Sequence, residues 1–193
     1  MNETLAAIDP KTTALLVMDY QPGILGMLPD SESLLARAGE AIRIARARGA
    51  HIGYVRVAFD DGDYDAVPPH SQFAAIGKSF HSDSPATAVH GDIAPHPGDI
   101  VVRKTRVGAF STTDLDRQLK EHGIVTLLLA GITTSGVVLS TVREAADRDY
   151  QVFVLADASA DREPAVHQFL IENIFPRQAH VIRVADVDQL LRL

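Results

Sequence analysis

The stretch 124-IVTLLLAGITTSGVVLSTVREAADRDY-150 decides the reading of the fold. It opens on a continuous apolar run, Ile124–Ala130, short enough for a strand buried on both faces. Small polar residues follow, and from Ser135 to about Asp149 the pattern becomes helical. Strand, polar turn and helix make half of a β–α unit, and in a parallel sheet such a turn sits at the carboxyl edge, where ligands bind. A helix starting near Ser135 would leave unpaired N–H donors there, a place for a developing oxyanion. A routine strand-to-helix turn capped by Thr134 or Ser135 would read the same way. Where a nucleophile would be expected, the chain places Val137 and Val138.

Working outward, the same alternation recurs. Thr13–Tyr20, Ile52–Phe59, Asp99–Lys104, Gln151–Ala156 and His180–Val184 read as five further strands. Ser31 to about Arg48 carries apolar residues on one helical face, with Ser31 or Ser33 as its cap and Gly49 as its end. Helices are also expected around Leu115–His122, over Glu163–Phe175 and over Val187–Leu191. The expected fold is a three-layer α/β/α arrangement with a six-stranded, mostly parallel sheet, a single domain over 1–193. The Gly-, Pro-, Asp- and His-rich stretch from Asp60 to Gly98 is too long for a simple connection. It is a candidate substrate lid, with a solvent-exposed excursion or an oligomer contact as the alternatives.

Composition narrows the chemistry. The 193 residues, 46% hydrophobic and 22% charged, suit one soluble domain. A net charge of −7 argues against nucleic-acid and anionic-membrane partners. Cysteine is absent, which removes disulfides, thiolate metal sites and cysteine nucleophiles together. The N-terminal MNETLAAIDPKTT has no apolar leader segment, so a cytoplasmic location is expected.

Two charged residues stand at strand ends beside the turn. Asp19 closes the first strand, where burial would demand a cation or donors nearby, and Lys104 closes the third. They are a candidate ion pair; the alternative is a loop-capping Asp and a solvated Lys.

The segments TALLVMDYQ, VVRKTRVGAF, AGITTSGVVLSTVREAADRDY and VFVLADASAD together resemble the isochorismatase-like hydrolase superfamily, which includes nicotinamidases and N-carbamoylsarcosine amidohydrolase. The resemblance implies that Asp19 is the catalytic aspartate of an Asp-x-Gln pattern completed by Gln21. It implies that Lys104 is the catalytic lysine and that Phe110 is an aromatic residue of the pocket wall. It also implies a cis bond at Ile132–Thr133, oxyanion donors from Thr133 and Val137, and a substrate pocket that includes Phe59, Ser135 and Gly136. Val137 occupies the position at which the amidohydrolases carry their cysteine; isochorismatases tend to have glycine there. At Phe59, isochorismatases have glutamine.

The resulting expectation is a hydrolase acting on a small molecule through Asp19 and Lys104, without a covalent intermediate, a cofactor or a metal, and as a homo-oligomer (dimer or higher). The Asp-x-His metal pair of the nicotinamidase type is replaced by Phe59-Asp60-Asp61-Gly62-Asp63. Arg56, Arg103 and Arg106 are candidate anchors for an anionic substrate, or ordinary salt-bridging residues. Two alternatives remain: a ligand-binding or inactive member of the fold, and a hydrolase with a substitute hydroxyl nucleophile among Thr134, Ser135, Ser140 and Thr141.

Overall fold

The computed structural model describes residues 6–76 and 79–192; residues 1–5, the start of the N-terminal segment read above for a leader, and 77, 78 and 193 lie outside the described residues. The strands are β1 (Thr13–Met18), β2 (His51–Val57), β3 (Ile100–Lys104), β4 (Thr126–Ile132), β5 (Gln151–Ala160) and β6 (His180–Ile182). The helices are α1 (Pro22–Leu25), α2 (Ser31–Arg48), α3 (Asp61–Ala66), α4 (Phe73–Ile76), α5 (Leu115–Glu121), α6 (Leu139–Ala146), α7 (Pro164–Phe169) and α8 (Val184–Leu190).

The strands form one sheet in the order β3-β2-β1-β4-β5-β6, with every neighbouring pair parallel. Every residue of β1 and of β4 is buried, because helices cover both faces. On one face Leu15 and Val17 pack with Leu34, Ala38 and Ala41 of α2 and with Val187 and Leu190 of α8. On the other, Ala14, Leu16 and Met18 pack with Leu115 and Leu119 of α5 and with Val142 and Ala145 of α6. Among the described residues no helix is long and apolar enough to cross a membrane.

The differences from the sequence pattern have local causes. β1 stops at Met18, not Tyr20, because Asp19 turns out of the strand at φ 62°. β2 stops at Val57, and Phe59 instead makes a single bridge to His81. α2 is capped by Asp30, whose carboxylate accepts the Ser33 N–H, rather than by either serine. Gly49 ends that helix in the left-handed region, at φ 83°.

The predicted helix over Ser135–Asp149 begins with a wide turn over Thr134–Val138 with i→i+5 geometry, and regular α-helix starts only at Leu139. The predicted helix over Glu163–Phe175 likewise passes from α7 into a wide turn at Leu170–Ile174.

β5 runs on to Ala160, beyond the expected Ala156, through a slip in its pairing with β4. Leu129 lies opposite Val154, whereas Gly131 lies opposite Ser159. Two steps along β4 are thus matched by five along β5, and the intervening residues arch out of the ladder.

The order of the strands reverses between β1 and β4: the chain builds outward from β1 through β2 to β3, then crosses to β4 and builds the other way. That is the topological switch point at which open parallel sheets leave a crevice beyond the carboxyl ends of the strands.

Candidate active site

A cleft of about 300 Å³ opens at this switch point. Its floor is built by the two central strands. Asp19 follows β1, Ile132 ends β4, and Thr133, Gly136 and Val137 belong to the turn that leaves β4. Lys104, the last residue of β3, reaches in from the side.

Among the described residues, Asp19 is one of three non-glycine residues with positive φ. Aspartate tolerates this region better than most residues, yet the conformation still costs about 1–2 kcal/mol. Its N–H donates to Val55 O (2.8 Å) and its carbonyl accepts the Gln21 N–H (2.8 Å), so the backbone is held on both sides. The sharp exit takes the carboxylate out of the strand's alternation and into the cleft wall.

Lys104 Nζ donates to Asp19 Oδ2 at 2.8 Å and to Arg106 O at 3.1 Å. Asp19 Oδ1 is buried and has no hydrogen-bond partner among the described residues. Burial pushes the Asp19 carboxyl above the ordinary carboxylate range; the Lys104 charge and its hydrogen bond pull the other way and do not overcome it. One carboxylate oxygen is therefore committed to the ammonium, and the other has no partner among the described residues.

The turn spends some of its donors internally. The Ser135 N–H donates to Asp161 Oδ2 (2.7 Å), and the Gly136 N–H donates to Thr133 Oγ1 (3.1 Å). Thr134 Oγ1 lies 2.7 Å from His167 Nδ1 on α7, and Thr134 is fully buried. Burial lowers the His167 pKa below the ordinary imidazole value, with Asp161 opposing. The Ile132–Thr133 peptide bond is cis.

The structure thus brings Asp19, Lys104, Ile132, Thr133, Gly136 and Val137 together in one cleft. The four other residues expected in the pocket stand elsewhere. Gln21 is fully buried beneath it, where its amide donates to Val57 O (2.9 Å) and Thr87 O (2.7 Å) and accepts the Val57 N–H (2.8 Å). Phe59 is fully buried and stacks on Tyr64. Phe110 belongs to the core on the α5–α6 face, between Tyr150 and the Arg148 guanidinium, and is not a pocket wall. Ser135 is exposed outside the cleft.

No serine lines the cleft among the described residues. The one hydroxyl there, on Thr133, already accepts a hydrogen bond from Gly136. Ser140, on α6, lies beside Gly108 and does not line the cleft.

Two of the three candidate anchors are spent on the long stretch. Arg103 binds Asp60, Asp63 and Ala58 O, and Arg56 donates to Thr87 O (3.0 Å). Together with Gln21 they tie Ala58, Asp60, Asp63 and Thr87 to the sheet, and the segment between supplies Phe73 and Phe80 to the cleft. Arg106 lines the cleft, its guanidinium 5.2 Å from the Phe73 ring centre.

Phe73, Phe80 and Arg162 were not singled out in the sequence. Arg162 follows the extended end of β5, so the rule that ligands gather beyond strand ends would have reached it had the strand been read to Ala160. The two phenylalanines sit in a stretch with no periodic signal.

A larger groove of about 700 Å³ lies between α1, α2 and the turn at Gly91–Ile93, but no buried carboxylate–ammonium pair faces it.

An isochorismatase domain model matches residues 13–186. The isochorismatase family protein YwoC of Bacillus subtilis is 36% identical over 170 residues, covering 88% of this chain and 89% of that protein. The ureidoacrylate amidohydrolase RutB of Methylobacterium radiotolerans is 31% identical, covering 87% of this chain and 75% of that protein. Among solved structures, an isochorismatase family protein from Burkholderia thailandensis superposes with a TM-score of 0.83 at 32% identity, over 97% and 99% of the two chains. The N-carbamoylsarcosine amidase of Thermoplasma acidophilum superposes with a TM-score of 0.76 at 25% identity, over 90% and 96%.

Proposed function

We propose that this chain, which belongs to the isochorismatase family of hydrolases, hydrolyses a small molecule through proton transfer by Asp19 and never forms a covalent bond to substrate. The observation that carries this reading is the unpartnered Asp19 Oδ1, buried at a cleft in which the family's nucleophile position is Val137. A carboxyl pushed upward by burial keeps its proton to higher pH than an ordinary one and can deliver it, the work of a general acid.

The electron balance is that of an acid-catalysed addition of water, here written for an enol ether. The Asp19 carboxyl gives its proton to the terminal carbon of the double bond, and the lone pair of the ether oxygen stabilises the cation so formed. Water adds to the cationic carbon and returns a proton to the Asp19 carboxylate. The resulting hemiketal collapses to a carbonyl compound and an alcohol. Lys104 holds the carboxylate in place and stabilises it once the proton has left. The N–H groups of Thr133 and Val137 are the turn's donors for negative charge on the substrate, since those of Ser135 and Gly136 have acceptors already.

Turnover of a panel of small enol ethers, amides and ureas by the wild type and by Asp19→Asn tests this reading. Loss of roughly 10²–10⁴-fold is expected in the variant, and intact-mass spectra taken during turnover should show only the unmodified chain. An adduct on Thr133 or Ser135 would replace this route with a hydroxyl nucleophile. A second reading, a binding protein that has lost turnover, draws on Val137 alone; it gains if no substrate class turns over while ligands still saturate the cleft.

A further inference from the structure

Apart from the Lys104–Asp19 pair, the charged groups that line the cleft are two guanidinium groups, on Arg106 and Arg162. Among the described residues neither lies within 4 Å of a carboxylate, in contrast to Arg103 next along the chain, which holds Asp60 and Asp63. Arg106 spends one donor on Thr105 O, and Arg162 lies against the Met27 thioether. A guanidinium carries five N–H donors, so most of their capacity is unspent.

The nearby acids are otherwise engaged. Asp19 is paired with Lys104, Asp63 with Arg103, and Asp161 accepts the Ser135 N–H. A positive surplus thus gathers in an apolar-walled cleft on a protein whose net charge is −7, a setting that focuses the field on an entering anion. The remaining walls suit a flat apolar body: Phe73 and Phe80 come from the long stretch, and Val107 and Val137 line the cleft with them.

We infer that the cleft selects a small organic carboxylate, its anionic end held by Arg106 and Arg162 and its apolar body lodged beside Phe73 and Phe80. The inference rests on the reading of this cleft as the active site. It assigns the two arginines a role in specificity, separate from proton transfer. Arg106 sits two residues beyond Lys104, and its own carbonyl accepts from the Lys104 ammonium, so one short segment carries both a catalytic and an anchoring group.

Binding of benzoate, benzamide and acetate, followed by titration calorimetry at low salt, tests it. Benzoate should bind at least about tenfold more tightly than its neutral amide, since a charge-assisted contact is worth roughly 1.5–3 kcal/mol. Acetate, which lacks the apolar body, should bind more weakly than benzoate. Arg106→Gln and Arg162→Gln should each weaken benzoate about tenfold and leave benzamide unchanged. Equal binding of benzoate and benzamide, no saturable benzoate binding, or full benzoate affinity in both variants would each overturn the inference. The readout does not depend on turnover: an inactive protein that binds benzoate through both arginines would sink the hydrolase mechanism alone. An active one indifferent to them would sink only the anionic substrate class.

Discussion

Lys104 Nζ lies 2.8 Å from Asp19 Oδ2, with 3% and 6% of the two side chains exposed. A pair so withdrawn from water gains attraction but pays desolvation on both sides, so it stabilises the fold poorly compared with apolar residues of the same volume. Removal of one partner leaves the other buried and alone. Asp19→Leu and Lys104→Met should therefore each cost about 3–5 kcal/mol, and the double variant clearly less than their sum, as read by denaturant midpoints in a double-mutant cycle. Additive losses would mean that the two groups do not interact energetically.

The pH dependence has a definite sign. Because the Asp19 carboxyl is raised in the folded state, the folded chain holds its proton to higher pH than the unfolded one. Its contribution to stability is thus greatest in acid and declines as pH rises from the ordinary carboxylate value to the raised one. The rate should follow the protonated form and fall as pH climbs through the raised value. Lys104→Ala removes the charge that opposes this rise, so the fall in rate should move to still higher pH. A uniform loss with no displacement of the profile would make Lys104 a binding residue only.

Gln21 is expected to be structural. Its amide bridges the ends of β1 and β2 to the turn at Pro85–Thr87 through three hydrogen bonds in the interior. Gln21→Ala should cost about 2–3 kcal/mol in chemical denaturation through orphaned buried groups. Gln21→Glu should cost more, because a carboxylate cannot donate to Val57 O and Thr87 O. Tolerance of glutamate would contradict that hydrogen-bond assignment.

Val137 offers a direct test of the cleft's electrostatics. The chain contains no cysteine, so Val137→Cys would introduce a single thiol near the start of the helix, in the cleft that Lys104 also lines. Such surroundings lower a thiol pKa. Iodoacetamide should modify it faster than a free thiol at neutral pH, and Asp19→Asn or Lys104→Ala should change that rate. A slow thiol that ignores both substitutions would mark Val137 as ordinary core.

We also expect a homo-oligomer, as the family resemblance implies. Val166 and Phe169, one turn apart on α7, are 39% and 57% exposed. If this face is the contact, Phe169→Glu should shift the sedimentation coefficient toward that of a monomer. A wild type already monomeric at micromolar concentration would contradict the expectation.

How much could be read from residues alone follows a physical divide. The strands and α2 were legible because buried segments leave a continuous apolar run or a 3.6-residue stripe, and α2 falls on the expected Ser31–Arg48. Asp19 and Lys104 were legible because a charge at the end of an apolar strand is a local anomaly. Phe110 and Phe59 were expected in the pocket from the family resemblance alone, and both are buried outside the cleft lining. Arg162 escaped because an arching strand has no periodicity to reveal where it ends, and His167 because its contact with Thr134 spans 33 positions of sequence.

The slip between β4 and β5 has a consequence for how such a protein can diversify. Arg162 stands two residues beyond Ala160, which pairs with Ile132 at the cleft floor, so the arginine is registered against β4 and not left to the arch. The arch itself is held: Leu155 pairs with Ile182 of β6, Asp157 accepts the Val184 N–H, and the Ala158 carbonyl accepts from the Tyr20 hydroxyl. Arg106 in turn shares its segment with Lys104. Both arginines are thus placed by the strands that frame the proposed catalytic pair, and a change of substrate is open to substitution at those two positions more readily than to a change in loop length.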